Sequence, residues 1–319
     1  MIKKIAILTS GGDSPGMNSA VRAIVNTAFK KGLEPYLVYE GYLGLTNGNF
    51  KKAEKSDVKL IGSLGGTVIY SARFPEFKKV EVRKKAIEKL KEEGIDALVT
   101  IGGDGSYIGA SKLTEMGIKT IGLPGTIDND IASTDYTIGF HTALDTIVRS
   151  IDQIRETTES HNRATIVEVM GRFCGDLAIH AAIATGAQVL STSERKLTEE
   201  EIIKESQKAR KEGNRSIIII VSEYLYDVNA LAKKIEAETN IETRATILGY
   251  PQRGGRPTAE DRILAGRMGA FAVEKLIEGE TGVAVNIVNN KLTTKDIMEV
   301  VSMNRPNKDE LFKQYDLIK

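Results

Sequence analysis

The sequence predicts an α/β protein made of two Rossmann-like, three-layer α/β/α domains with mostly parallel sheets. Three observations predict it. Short apolar runs alternate with segments of helical periodicity along the chain. The apolar runs are continuous rather than alternating, the pattern of strands buried on both faces. Several of the 30 glycines directly follow those runs, at strand-to-loop junctions. At 319 residues the chain exceeds the roughly 250–300 that one core usually serves, so two cores are expected.

The elements follow in order. Residues 5–8 form a short strand, and a glycine-rich loop through Gly16 leads to a helix over about 18–31. There Ala20, Ile24 and Ala28 recur with Val21 and Val25 at helical spacing, and Gly32 ends the run. Residues 36–39 are the next strand, and 41–75 read as glycine-rich and irregular. A helix over about 80–93 stops at Gly94, a strand at 97–101 follows, and a helix then runs to Met116. Residues 118–123 are a buried strand. Helices are expected at about 139–157, 175–185, 198–212, 227–238 and 258–278. Strands are expected at 164–169, 217–221, 245–248 and 283–288. The two α/β halves meet near 139. No linker marks that point, so the chain is expected to cross between domains more than once.

Composition excludes several function classes. The formal net charge of +1 gives no bulk field for nucleic acid or an acidic surface. One cysteine, Cys174, rules out an internal disulfide framework and suits a reducing compartment. The apolar run at the start stops at Leu8, and no stretch approaches the roughly 18 apolar residues of a membrane span. A cytoplasmic protein is expected.

The chemistry is expected at strand ends. Pro124-Gly125-Thr126-Ile127-Asp128-Asn129-Asp130 follows a strand, and its spaced carboxylates suit neither a helix nor a buried strand. Open α/β sheets bind ligands at such carboxyl ends. One aspartate there could take a proton from a substrate hydroxyl, the other supporting a cation or the loop. An Asx-rich turn with solvated acids is the plainer alternative. Gly102-Gly103-Asp104-Gly105-Ser106 opens a helix after a strand, so its backbone N–H groups suit phosphate. An acid there calls for Mg²⁺ between Asp104 and the phosphates, or else Asp104 is an N-cap in a tight turn. Gly11-Gly12-Asp13 repeats the theme. Neither glycine loop is a P-loop or a dinucleotide fingerprint. Together the three loops supply the phosphate cradle, metal acid and base of a phosphoryl-transfer site.

Such a site also needs cations. Arg163 and Arg172 flank one predicted strand, and Arg244 and Arg253 flank another. Nine extended residues span up to about 30 Å, too far for one pair to grip a single small phosphate. If all four bind substrate, each pair serves two sites, which a subunit interface would reconcile. Surface arginines at strand ends are the alternative. Arg73, in apolar company, could lie over transferring phosphates. Glu223 could accept from sugar hydroxyls, and Met170 with Gly171 would allow close backbone approach. His141 and His180 fall in helices and His161 in a loop, with no metal-ligand spacing among them.

With these residues assembled, the chain resembles the bacterial ATP-dependent 6-phosphofructokinases over essentially its whole length. The carrying motifs are Thr-Ser-Gly-Gly-Asp-Ser-Pro-Gly-Met-Asn at 9–18, Ser-Ala-Arg-Phe-Pro-Glu-Phe at 71–77 and Gly-Gly-Asp-Gly-Ser-Tyr at 102–107. The others are Pro-Gly-Thr-Ile-Asp-Asn-Asp at 124–130, Met-Gly-Arg-Phe-Cys-Gly-Asp at 170–176 and Gln-Arg-Gly-Gly at 252–255. The set is specific where one motif would not be.

The resemblance implies transfer of the ATP γ-phosphoryl group to the 1-hydroxyl of fructose 6-phosphate. It implies an ATP-binding domain of 1–138 plus 251–302 and a sugar-phosphate domain of 139–250 plus 303–319. Asp128 is implied as the base, Thr126 as orienting the transferring group, and Arg73 and Arg172 as catalytic cations. Gly12, Arg73, Phe74 and Gly103, Asp104, Gly105 and Ser106 would contact ATP, with Asp104 holding Mg²⁺. Ile127, Met170, Gly171, Glu223, Tyr250, Pro251, Gln252 and Arg253 would join Thr126, Asp128 and Arg172 around the sugar phosphate. Arg163 and Arg244 would come from the adjacent subunit of a homotetramer. No nucleic acid or membrane partner is implied.

Related pyrophosphate-dependent enzymes usually carry aspartate and lysine where this chain has Gly105 and Gly125, so ATP is expected. Tyr250 stands where histidine is usual, keeping a donor that cannot become cationic. The effector site implied by the resemblance keeps Arg22, Arg155 and Arg215. It has Asn26, Lys55, Ser56, Asn214, Gln188 and Ser216 where other residues, several of them cationic, are usual. Losing cations around a polyanion weakens its binding, so weak or absent control by ADP and phosphoenolpyruvate is expected. NAD and diacylglycerol kinases share only the Gly-Gly-Asp-Gly loop. A catalytically silent nucleotide sensor would not need Asp128.

Overall fold

The structure, a computed structural model, describes residues 2–319. In chain order the elements are β1 (Lys4–Thr9), α1 (Met17–Lys30), β2 (Glu34–Val38), α2 (Gly41–Asn47), β3 (Phe50–Lys52), α3 (Val80–Glu93), β4 (Ala97–Gly102), α4 (Asp104–Glu115), β5 (Lys119–Pro124) and α5 (Phe140–Ser160). Then come β6 (Ala164–Val169), α6 (Asp176–Thr185), β7 (Val189–Ser191), α7 (Glu199–Lys211), β8 (Ile217–Ser222), α8 (Val228–Thr239) and β9 (Thr243–Ile247). The chain closes with α9 (Ala259–Glu278), β10 (Val283–Val288), β11 (Lys291–Asp296), α10 (Ile297–Ser302) and α11 (Asp309–Ile318).

The chain forms two compact units, Met1–Ile127 with Ile131–Thr142 and Arg253–Arg305, and Asp128–Asp130 with Ala143–Gln252 and Pro306–Lys319. It passes between them after Ile127, Asp130, Thr142, Gln252 and Arg305.

The first unit holds a seven-stranded sheet in the order β11-β10-β5-β4-β1-β2-β3. Its inner pairs are parallel, and β3 and β11 add antiparallel edges. β1, β4 and β5 present only buried residues, apart from Lys4 and Lys119 at their starts. One core cluster gathers Ile7, Val99 and Ile121 with α1 and α9, and another gathers Leu8 and Leu98 with α2 and α3. The sheet is therefore covered on both faces, as its continuous apolar strands require.

The second unit holds a parallel sheet in the order β7-β8-β6-β9. Ile217, Ile219 and Val221 of β8 pack with α7 and α8. The capping box of Thr198 and Glu201 starts α7, and the Asp227 side chain accepts two N–H groups at the start of α8.

The predicted fold class holds, with local differences. Residues 41–75 contain α2 and β3 rather than only irregular chain. Gly44 sits in α2 because a Cβ there would lie 1.6 Å from the Tyr39 carbonyl oxygen. The glycines that suggested a loop thus meet a packing requirement. The short strands β3 and β7 and the polar edge strand β11 lack the long apolar run that reveals a central strand.

Candidate active site

In the first unit three strand-end loops come together. β4 lies between β1 and β5, with Thr9 opposite Ile101 and Gly102 opposite Pro124. The strand order reverses at β1, since β2 lies on one side of it and β4 on the other. Topological switch points of this kind are where open sheets bind ligands. Ser106 Oγ donates to the Ser10 carbonyl oxygen at 3.0 Å, joining the β4 loop to the β1 loop. Gly125 N–H donates to the Gly102 carbonyl oxygen at 3.1 Å, joining the β5 loop to the β4 loop.

The Gly103–Ser106 loop opens α4, with Gly103 at the N-cap and Asp104 in the first turn. Tyr42, buried under this turn, donates to the Ser106 carbonyl oxygen at 2.6 Å. A Cβ at Gly103 or Gly105 would meet nothing within 4 Å. The fold therefore leaves room beside the positive end of a helix. Gly125 differs, because a Cβ there would press on Ile101 and Met17 at 3.0 Å.

Other predicted residues border these loops. Ser71 Oγ donates to the Gly11 carbonyl oxygen at 2.7 Å, tying the segment of Arg73 and Phe74 to the first loop. Phe74 packs on the α2–α3 core, and Arg73 is exposed. Arg253 Nη2 donates to Asp13 Oδ1 at 2.9 Å, and a Cβ on Gly12 would lie 2.4 Å from that nitrogen. Glycine at 12 lets the guanidinium cross the loop. Thr126 is fixed through its backbone, its N–H donating to Ile138 at 3.2 Å and its carbonyl oxygen accepting from Thr137 at 2.6 Å. Ile127 is buried, and Arg22 is exposed on α1.

The second unit gathers a second set. Asp128–Asp130 is counted with this unit by its contacts. Chain connectivity alone keeps the Cα of Asp128 within about 11 Å of Gly125. The Asp130 Oδ1 atom is buried with no hydrogen-bond partner among the described residues. At the carboxyl end of β6, Met170 N–H donates to Gln252 Oε1 at 2.9 Å, and Arg172 N–H donates to Glu223 Oε1 at 2.7 Å. Arg172 has a left-handed backbone, φ 57°, and the preceding Gly171 has φ 134° with Cys174 O 2.4 Å from where a Cβ would stand. Two tight backbone conformations thus present an exposed guanidinium, with Glu223 as the clamp. Burial, with the Glu223 carboxylate nearby, pushes the Glu168 carboxyl up. Tyr250, 80% exposed, and Pro251 and Gln252 lie in a 3-10 turn after β9.

Arg163 and Arg244 lie at the opposite, amino end of this sheet. Ala164 pairs with Thr243, and Glu242 forms ion pairs with both arginines, with Arg163 at 2.7 Å. Over the six residues of β6 that end is roughly 17–20 Å from the Arg172 end. The Arg244–Arg253 pair is not nine extended residues apart, because β9 ends at Ile247 and the 3-10 turn follows. Arg155 donates to the Thr185 carbonyl oxygen at 2.6 Å, and Arg215 lies 3.8 Å from Glu159.

Sequence reasoning missed two buried acids. Asp261, in the first turn of α9, accepts from Gly139 N–H at 2.9 Å and from Thr142 N–H at 2.8 Å, fixing the start of α5. Burial raises its pKa against these hydrogen bonds. Asp176 accepts from the Asn129 side chain at 2.8 Å. Each sits in the first turn of a helix, where an acid also satisfies the dipole, so the sequence signal was ambiguous. Among the described residues no group of three or more His, Cys, Asp or Glu side chains is placed to hold a metal, and no helix is long and apolar enough to cross a membrane.

Comparison with known proteins identifies the family. The profile of the family described as Phosphofructokinase matches residues 4–276. The chain is 57% identical over 314 residues to "ATP-dependent 6-phosphofructokinase" of Vibrio vulnificus, covering 98% of each chain. It is 56% identical over 313 residues to the protein of that name in Vibrio campbellii, again covering 98% of each. Among solved structures, phosphofructokinase from Saccharomyces cerevisiae superimposes with a TM-score of 0.89 at 40% identity. That match covers 98% of this chain and 47% of the yeast chain, so this chain spans about half the length of the yeast one. Pyrophosphate-dependent phosphofructokinase from Marinobacter aquaeolei, 21% identical, shares the fold with a TM-score of 0.88, over 99% of this chain and 92% of its own. The profile match and the full-length identity both place the chain in the phosphofructokinase family.

Proposed function

We propose that the chain is an ATP-dependent 6-phosphofructokinase. It transfers the γ-phosphoryl group of ATP to the 1-hydroxyl of fructose 6-phosphate, giving fructose 1,6-bisphosphate and ADP, as a cytoplasmic step of glycolysis. The observation that carries this reading is the alignment of the β1, β4 and β5 loops at the switch point, with the glycine-flanked Asp104 opening α4. The Vibrio relatives that bear this name support it.

In this reading Gly12, Gly103, Gly105, Ser106, Arg73 and Phe74 border the nucleotide. Mg²⁺ fits a single carboxylate completed by phosphate oxygens rather than an all-protein cage, which agrees with the donors present. Asp104 would hold it, and when bound it neutralises charge on the phosphates. Asp130 Oδ1, buried with no hydrogen-bond partner among the described residues, is a further oxygen suited to a cation. Asp128 accepts the proton of the sugar 1-hydroxyl, Thr126 orients the transferring group, and Arg172 stabilises its charge. Met170, Gly171 and Glu223 receive the sugar phosphate, with Tyr250, Pro251, Gln252 and Arg253 alongside. A coupled assay with ATP, Mg²⁺ and fructose 6-phosphate, run beside one with pyrophosphate, tests the whole reading. Turnover with pyrophosphate and none with ATP would overturn it.

Arg163 and Arg244 bind the 6-phosphate of a neighbour's sugar in a homo-oligomer. Their joint placement at the amino end of the sheet, away from Arg172, supports this. Mixing two inactive variants, Asp128→Asn and Arg244→Ala, and allowing subunits to exchange should then restore activity. Random pairing leaves about a quarter of the sites intact. No recovery in exchanged mixtures would place both residues in one subunit's site.

Effector control is weak. Gln188 uses its side chain on Ile218 N–H at 2.8 Å and the Gly186 carbonyl oxygen at 3.1 Å, and Asn214 donates to Ala209 at 3.0 Å. These neutral groups serve local structure. Sugar-phosphate saturation curves should therefore move less than about twofold with ADP or phosphoenolpyruvate, as expected where formal cations are missing. A sigmoidal curve that ADP makes hyperbolic would contradict this.

A further inference from the structure

The tripeptide that carries Asp128 has a remote anchor. Asn129 has a left-handed backbone, φ 50°, which a non-glycine residue holds only when its surroundings fix it. Its side-chain N–H donates to Asp176 Oδ2 at 2.8 Å, and its carbonyl oxygen accepts from the Cys174 thiol at 3.7 Å. The other Asp176 oxygen accepts from the Lys308 ammonium. Both charged side chains are almost completely buried, Lys308 at 10% exposure and Asp176 at 8%.

Lys308 stands at the head of α11, which is docked within the same unit. Arg195 pairs with Asp316 at 2.7 Å, and Tyr315 donates to the Ala187 carbonyl oxygen at 3.0 Å. Burial opposes the Lys308 charge, yet the facing Asp176, Cys174 and Glu194 hold its pKa above the usual ammonium value. The Glu194 carboxylate is itself engaged by Gly175 N–H at 2.9 Å.

We infer that Lys308 is a positioning residue: by neutralising Asp176 it fixes Asn129, and through Asn129 the direction in which Asp128 is presented. Without Lys308 the buried Asp176 carboxylate loses the ammonium it is paired with. It must then take up a proton or turn toward water, and either change loosens its hold on Asn129. Simple docking of α11 by the same ion pair is the competing account. That account predicts lower stability but an unchanged kcat in the folded protein.

The test uses the full chain carrying Lys308→Met or Lys308→Arg, together with the double variant Lys308→Met/Asp176→Asn. The activity arm rests on the kinase reading; amide exchange in the ligand-free protein does not. In Lys308→Met, kcat should fall by at least about 10-fold with KM for ATP nearly unchanged, since small misplacements of reacting groups cost this much. Amide exchange across residues 125–132 should quicken. Lys308→Arg should recover most of both. If Lys308→Met does not fold, the double variant, which leaves no lone buried charge, is read instead. It should also lose at least about threefold in kcat and exchange faster, because the ammonium that orients the side chain at 176 is then gone. A folded variant with wild-type kcat and unchanged exchange overturns the inference. A wild-type chain with no phosphotransfer overturns the kinase reading instead, and exchange alone then decides the role of Lys308.

Discussion

Replacing Asp128 by asparagine should lower kcat by at least about 10²-fold while fructose 6-phosphate still binds. Asparagine keeps the size of the side chain and can still accept a hydrogen bond, but it cannot take a proton at neutral pH. The surroundings of the residue make this a clean substitution. The flanking residues have hydrogen bonds of their own, Thr126 with Ile138 and Thr137 on one side and Asn129 with Asp176 on the other. The loop should therefore keep its course. Steady-state kcat measured beside calorimetric sugar-phosphate affinity separates the two effects. A kcat within about 10-fold of wild type would remove Asp128 as the base. Loss of binding with kcat preserved would make it a ligand-holding residue.

The features legible in the sequence were those written locally. The three strand-end loops could be read because each puts glycine and aspartate directly after a continuous apolar run, and the strands before them are buried on both faces. The edge strand β11, Lys-Leu-Thr-Thr-Lys-Asp, carries no such run because half of it faces solvent and its partner is antiparallel. Partners distant in sequence could not be read at all. Asp13 and Arg253 are 240 positions apart, and Asp176 and Lys308 are 132 apart. In sequence Asp176 and Lys308 look like ordinary surface charges, and nothing there pairs Asp13 with Arg253. Only the folded chain shows that Asp176 and Lys308 are buried against each other. Arginine spacing was informative where the intervening residues form a strand, between Arg163 and Arg172. The extended run it assumes is interrupted by a turn between Arg244 and Arg253.

Gly105→Asp should raise KM for ATP by about 10²-fold and leave thermal stability unchanged. The fold places no demand for glycine here. Its φ lies outside the left-handed region, and a Cβ would meet nothing within 4 Å. Aspartate in the first turn of α4 would if anything help the helix, by offsetting its dipole and replacing a poor helix former. The cost falls on the ligand instead. A carboxylate about 4 Å from a phosphate oxygen is repelled by roughly 1 kcal/mol in water and about 4 kcal/mol at the effective dielectric of a protein surface. At 1.4 kcal/mol per factor of ten, the middle of that range gives the predicted shift. Gly125 offers no such separation. A side chain there must displace Ile101 and Met17, so Gly125→Lys would confound stability with specificity. Melting temperature and KM measured on the Gly105→Asp protein therefore isolate the nucleotide. An unchanged KM for ATP would mean that the nucleotide phosphates do not pass this loop, and the assignment of Gly103 to Ser106 as their cradle would fail with it.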